Sequence, residues 1–412
     1  MSRAPRVLFV SYGGGHIGMV LPVMRELEAL LPGVQCTLLA LTTGHLKAQA
    51  VRPDTLGYRD FLHLVDADAA RAWGERLSEG NTSPDVPSDE TIAYLGINYL
   101  DLIAQHGEAG AADLYCEQGR YGFRPLHFMR AVMDALQPNA VVATNSPRSE
   151  RAALDVAGER GLPNIGMVDM FGLDSDTYVL HQPKPALTCV ISEGVRQRLI
   201  ARGFPAEGVA VTGNPAFDGL SSRVNAEKAQ TFVESQGWQG LTPILWTGHL
   251  EPTDASDPMF AGPRLGLKVE HALRDLIRVR NDLALIVRYH PNEWHHFQRI
   301  PEQPRVHFSK PSEEPIHPLI LASRAVVVQN STVGLESAIA GRPVVSLEFA
   351  DTVKNSFSMA KMGVSVPCHQ LPDLLSILNQ VLSWPEAHAK EYASDGRAAF
   401  RVASLVLNSL FD

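Results

Sequence analysis

Short apolar runs alternate along this chain with longer stretches in which apolar residues recur every three to four positions. Runs of the first kind predict strands buried on both faces, and stretches of the second kind predict helices packed over them. Residues 6–11 (RVLFVS) predict a first strand, 17–31 a helix and 35–41 a second strand. Further strands are expected at 140–144 (AVVAT), 164–168 and 188–191, with helices between them, and 209–212 closes this first series. After Asn214-Pro215 the chain turns polar and helical over 225–236. A second series then begins at 243–247 (PILWT) and continues at 284–289 (ALIVRY), 305–308, 325–328 (AVVV) and 343–347 (PVVSL). Strand–helix alternation repeated in this way predicts an α/β protein of two doubly wound, Rossmann-like domains with parallel sheets. The expected divisions are 1–215, 216–385 and a helical tail over 386–412, whose apolar residues include Phe400, Val402, Leu405, Leu407 and Leu410.

One stretch departs from this rhythm. Residues 52–126 are polar, helical and dotted with aromatics (Tyr94, Tyr99, Tyr115, Tyr121, Phe123), too long for a simple crossover. They read either as helices completing the first domain's core or as a wall that meets an acceptor or a membrane.

With 412 residues the chain exceeds one ordinary core, and 45% apolar with 20% charged residues describes a packed globular protein. A net charge of −9 argues against a general nucleic-acid binder, whose affinity comes from clustered Lys and Arg. Four scattered cysteines (Cys36, Cys116, Cys189, Cys368) form neither a CxxC pair nor a disulfide framework, which suits a reducing cytoplasm. The apolar run at 7–10 is too short for a signal segment, and no stretch reaches the length of a membrane span. A cytoplasmic protein is expected, with peripheral contact to the inner membrane face left open for the case of a lipid acceptor.

The candidate chemistry sits directly after strands. Ser11-Tyr12 leads into Gly13-Gly14-Gly15-His16 at the start of a helix, where glycines admit a close ligand and His16 adds a titratable group. A tight strand-to-helix turn explains the glycines equally. The strongest signal is Gln329-Asn330-Ser331-Thr332-Val333-Gly334-Leu335-Glu336, followed by Gly341-Arg342-Pro343. Asn330, Ser331 and Thr332 are helix-capping types suited to phosphate, with Gly334 beside them, and Glu336 one turn in suits ribose hydroxyls. Arg288-Tyr289-His290-Pro291-Asn292-Glu293 and Thr247-Gly248-His249 place Arg288, His290 and His249 at further strand ends, as phosphate contacts or as plain surface turns. His271 and the His295-His296 pair complete no HExxH or other closed ligand set, so no metal site is expected. No GxSxG elbow or GxxxxGK[ST] loop is present.

Taken together these residues resemble the GT-B superfamily over most of the chain. Ser11 to His16 is similar to the glycine-rich loop of the lipid-linked N-acetylglucosaminyltransferase of peptidoglycan synthesis, and 330–343 resembles that family's donor segment. The resemblance implies two domains facing a central cleft, a terminal helix crossing back to the first domain, a phosphate cradle at Ser331 to Gly334, a ribose contact at Glu336 and a metal-independent reaction. Val211-Thr212-Gly213-Asn214-Pro215 together with Thr247-Gly248-His249 is also similar to the hydrolysing UDP-N-acetylglucosamine 2-epimerases. By that likeness His249 matches a conserved TGH histidine and Asp169 falls where a catalytic glutamate stands. Asn145 occupies the place of a catalytic aspartate, and an amide cannot exchange a proton near neutrality. His290-Pro291 and Ser331-Thr332 also resemble the CMP-sugar-using sialyl- and capsule-polymer transferases.

The expectation from sequence is therefore a glycosyltransferase of surface-glycan or polysaccharide synthesis. Its donor would be a nucleotide sugar, UDP-linked by preference and CMP-linked as the alternative, and its acceptor a glycan, lipid-linked or small-molecule hydroxyl. The sugar nucleotide is a substrate, and no cofactor is expected. His16 is the first choice of base and Asp169 the second. An epimerase or hydrolase of UDP-N-acetylglucosamine is the alternative.

Overall fold

A computed structural model describes residues 4–81, 86–329, 331–384, 392 and 395–411. The chain forms two compact units, Met1–Ala216 with Arg397–Asp412, and Phe217–Gly396.

In the first unit six parallel strands, β1 (Arg6–Tyr12), β2 (Gln35–Leu41), β3 (Ala140–Thr144), β4 (Asn164–Met167), β5 (Leu187–Val190) and β6 (Val209–Val211), lie in the order β2-β1-β3-β4-β5-β6. β1 pairs with β2 on one side and β3 on the other, so the chain reverses its direction of travel across the sheet at β1. In such sheets the crevice beyond the carboxyl ends of the two strands flanking the reversal is where ligands bind. Val7, Phe9, Val142 and Ile165 fill one face of the sheet beneath the helix Gly13–Leu30. The terminal helix Ala398–Ser409 joins the same core through Ala399, Val402, Ala403 and Val406. The expected tail lies partly outside the described residues, at 386–391, 393, 394 and 412.

The 52–126 stretch builds core. Helices Ala67–Ser78 and Ser88–Gln118 cross with their backbones touching, because a Cβ on Gly74 would stand 2.0 Å from the Ile92 carbonyl oxygen and one on Gly96 1.7 Å from that of Ala70. Tyr94, Tyr99 and Phe123 are buried, whereas Tyr121 is exposed. Glu90, also buried, accepts the Tyr58 and Arg59 N–H groups at 2.7 and 3.1 Å, and burial raises its carboxyl to about 7.

The second unit repeats the plan with β7 (Thr242–Gly248), β8 (Leu283–Tyr289), β9 (Val306–Ser309), β10 (Ala325–Val328), β11 (Val344–Leu347) and β12 (Val366–Cys368), parallel in the order β12-β11-β10-β7-β8-β9. Helix Arg264–Val279 covers it with Leu265, Val269, Leu273, Leu276 and Ile277, spaced three to four residues apart. The four cysteines are free thiols, and among the described residues no helix is long and apolar enough to cross a membrane. Two parallel six-stranded sheets, each wrapped by helices, make a Rossmann-like pair of the GT-B kind.

Candidate functional site

In the first unit, β1 ends at Tyr12 in extended conformation and the helix begins at once with the three glycines. Gly13 has φ +71°, which costs a residue with a Cβ strain, while Gly15 faces open space. Lys47 Nζ donates to the Gly14 carbonyl at 2.6 Å and pins the loop. The next residue, His16, spans two other strand ends: Nδ1 lies 3.0 Å from Thr144 Oγ1, the last residue of β3, and Nε2 lies 3.2 Å from Asp169 Oδ2, just past β4. The two residues expected to act as base are thus partners.

Asp169 is held by its backbone as well. Its N–H donates to Asn145 Oδ1 at 3.2 Å and its carbonyl accepts Asn214 Nδ2 at 3.0 Å. Asn145 Nδ2 in turn donates to Asp176 Oδ2 at 3.1 Å. Asn145 therefore bridges two acidic residues instead of exchanging protons itself. Glu150, fully buried in the first turn of helix Ser149–Glu159, adds a third carboxyl to the charges acting on His16. Arg148 lies 4.8 Å over the Tyr12 ring.

The electrostatics follow. Burial lowers the His16 imidazole most, but the hydrogen bond and charge of Asp169, with Glu150 and Asp176, outweigh it and leave the group above its ordinary value. Burial raises Asp169, yet the bond and charge of His16 and the Asn145 amide hold its carboxyl below the usual range. Asp176 goes the other way, pushed up by burial and by the nearby Asp169 charge.

In the second unit, β7 and β8 run in register with Gly248 opposite Tyr289, so the residues that follow each, His249 and His290, emerge side by side with ring centroids 4.6 Å apart. Only glycine fits at 248, since a Cβ there would meet the Tyr289 ring at 2.7 Å. Glu293 accepts the Leu250 N–H at 2.9 Å and faces His249 Nδ1 at 3.5 Å. The His249 N–H donates to Gln329 Oε1 at 3.1 Å, and Gln329 Nε2 donates to the buried carboxylate of Glu251. Glu251 also accepts the Asp351 and Thr352 N–H groups at 2.7 and 3.1 Å. Arg288, expected at a phosphate, commits Nη1 to Ser309 Oγ at 2.8 Å and the Glu314 carbonyl at 2.7 Å, and burial lowers it to about 10.

Of the donor loop, Asn330 lies outside the described residues. Ser331 Oγ accepts the Val333 N–H at 3.3 Å, and Gly334 packs so tightly that a Cβ would fall 2.3 Å from Met359 Sδ. Glu336 is buried: Oε1 accepts Thr332 Oγ1 at 3.2 Å and Oε2 lies 3.1 Å from His317 Nε2. A carboxylate offers about four acceptor positions, so two remain for another donor. Sequence reading missed Thr144, Asp176, Glu150 and His317, and it gave no role to Glu293, although that residue closes the motif begun by Arg288.

A family model described as UDP-N-acetylglucosamine 2-epimerase matches residues 185–406, more than half of the chain. No curated protein sequence matches it. Among solved structures, the UDP-GlcNAc 2-epimerase of Neisseria meningitidis bound to UDP-GlcNAc is 15% identical with a TM-score of 0.58, over 98% of this chain and 100% of that one. The Methanocaldococcus jannaschii UDP-GlcNAc 2-epimerase is 13% identical at TM-score 0.59, over 98% and 99%. A glycosyltransferase of kitacinnamycin is 15% identical at TM-score 0.55, over 99% of each chain. At these identities the structures show a shared fold. The family match overturns the glycosyltransferase expectation, and the fold itself, shared with both epimerases and a glycosyltransferase, does not separate the two reactions. The matched stretch contains His249, His290 and Glu336, while His16, Asp169 and Asp176 precede it. The chain belongs to the UDP-N-acetylglucosamine 2-epimerase family.

Proposed function

We propose that this protein binds a UDP-linked N-acetylhexosamine and inverts its C2 centre. The observation that carries the reading is the Asn145 bridge: its amide holds Asp169 by the backbone and Asp176 by the carboxylate, and the two carboxyls are pushed in opposite directions. Inversion at a C–H centre needs a group that takes a proton and one that returns a proton. A pair of acids with separated affinities is how one site holds both at a single pH. Asp169, held below the usual carboxylate range by His16, is assigned as the proton acceptor, and Asp176, raised by burial, as the group that returns a proton. His16 orients Asp169 and stores positive charge beside it. Asn145, which read from sequence as a loss of epimerase chemistry, leaves two carboxyls in place.

The nucleotide contacts proposed are Ser331, Thr332, Gly334 and Glu336, with His249 and His290 against phosphate oxygens. Removal of the C2 proton puts its electron pair into a C1–C2 double bond as the C1–oxygen bond breaks, and two imidazoles at adjacent strand ends suit the charge that builds on that departing diphosphate; protonation of C2 from the other face, with UDP or water adding at C1, completes the inversion. The solved epimerase from Neisseria meningitidis, described as bound to UDP-GlcNAc, and the S. aureus MnaA protein, described as a co-structure with UDP, lend the nucleotide its identity.

The test is incubation with UDP-GlcNAc in deuterated water, followed by proton NMR and nucleotide chromatography. Deuterium at C2 is the expected result. UDP-ManNAc as product marks a retained nucleotide, and free ManNAc with UDP marks water as the final partner. An unlabelled C2 after prolonged incubation rejects the proposal.

A further inference from the structure

We propose that His249, His290 and Glu293 form a binding site for one borderline divalent transition-metal ion of the Zn2+ type. One nitrogen from each imidazole and one carboxylate oxygen all lie within 4.8 Å of one another, the one such cluster among the described residues. The β7–β8 register delivers the two imidazoles side by side. The turn after β8, closed by the Glu293 and Trp294 N–H groups on the His290 carbonyl at 2.9 Å each, brings Glu293 back beneath them.

The present contacts in this trio are weak. Glu293 Oε2 is 3.5 Å from His249 Nδ1, and Oε1 is 4.0 Å from His290 Nδ1, at or beyond the limit of a hydrogen bond. Ligands around a tetrahedral zinc, at bond lengths near ~2.0–2.1 Å, stand roughly 3.3 Å apart. A contraction of at most about 1.5 Å, from separations within 4.8 Å, therefore replaces loose contacts with metal bonds. The side chains are 18%, 35% and 29% exposed, so they have room to turn and solvent can take a fourth position. The set is also braced from behind: Glu293 Oε2 is anchored by the Leu250 N–H, and His249 by Gln329 through its own N–H. Two imidazoles and one carboxylate are a zinc-like donor set, whereas Mg2+ and Ca2+ favour oxygen ligands throughout. The sequence showed no such set because the ligands come from strands forty residues apart.

The site shares His249 and His290 with the proposed phosphate contacts, and it is tested without nucleotide so that the two readings are scored apart. Full-length protein is titrated with Zn2+ against a chromophoric chelator and, separately, with Co2+ monitored by its visible d–d bands. One ion per chain is expected, with affinity falling about tenfold or more in Glu293→Gln and in His290→Ala, and unchanged when His295 and His296 are both replaced by alanine. Circular dichroism checks folding, and His290→Gln substitutes for either variant that does not fold. The proposal is overturned by an absence of saturable binding, by folded Glu293 and His290 variants that bind as wild type does, or by loss only in the His295/His296 double variant. Failure here leaves C2 exchange untouched, and failure of C2 exchange leaves metal binding untouched.

Discussion

His16 Nε2 lies 3.2 Å from Asp169 Oδ2 while the opposite ring nitrogen lies 3.0 Å from Thr144 Oγ1, so one imidazole ties together the carboxyl ends of β1, β3 and β4. The ring's orientation is fixed from both sides. As a neutral group it donates to Asp169 and accepts from the threonine hydroxyl, and as a cation it donates to both. Either way Asp169 keeps a donor on one oxygen and stays ionised.

Asp169→Asn should lower the rate of C2 exchange by about 10²–10⁴-fold, the range of a lost acid–base group. UDP affinity, measured by calorimetry, should stay near wild type. A parallel loss of affinity and rate would move Asp169 out of the proton-transfer role.

The same pair gives stability a pH signature. The raised imidazole contributes stability that is fully present below the ordinary histidine value and is lost as pH rises through its folded value. The depressed carboxyl contributes stability present above the ordinary aspartate value and lost as pH falls through its folded value. The gap in thermal midpoint between wild type and His16→Gln should thus be widest between about pH 3.9 and 6.5 and narrow on both sides. A gap independent of pH would show that the pair is not charged.

Glu336→Ala should weaken UDP binding about tenfold or more, since a hydrogen bond to a charged acceptor contributes ~1.5–3 kcal/mol. Because the carboxylate also holds Thr332 and His317, the comparison needs Glu336→Gln, which keeps the shape. Unchanged affinity for UDP in both variants removes the ribose assignment.

Gly96→Ala should destabilise the first unit by about 1–3 kcal/mol or more, read from denaturant unfolding, because its Cβ would enter the Ala70 carbonyl and force two helices apart. Gly15→Ala, facing open space, should cost far less.

The strands were legible because a doubly wound sheet buries both faces, which leaves unbroken apolar runs such as 140–144 and 325–328. β12 escaped notice because it is three residues long and contains Pro367. The first helix was expected from residue 17, since three consecutive glycines are poor helix formers. It starts at Gly13, where the left-handed φ lets the chain turn straight out of β1. His16 and Asp169 were readable as chemistry at strand ends, but Asp176 and Glu150 were not. Their importance comes from burial and from neighbours distant in sequence, and no periodicity records either. The reaction was misread for a related reason: position 145 was judged by its own side chain, whereas the fold uses it to hold two others.

The return of the last helix to the first unit has a topological consequence. The second unit is one uninterrupted length of polypeptide, Phe217–Gly396, and its two ends meet, since a Cβ on Gly396 would stand 3.1 Å from that of Ser221. Severing the backbone at both junctions would release it as a single piece with neighbouring termini, ready for splicing elsewhere. The remainder would be left as a long fragment and a peptide of one helix. The pair could reassemble through the contacts of that helix, Ala399, Val402, Ala403 and Val406 among them, so synthesis of the first unit cannot be completed until the ribosome has passed the whole of the second.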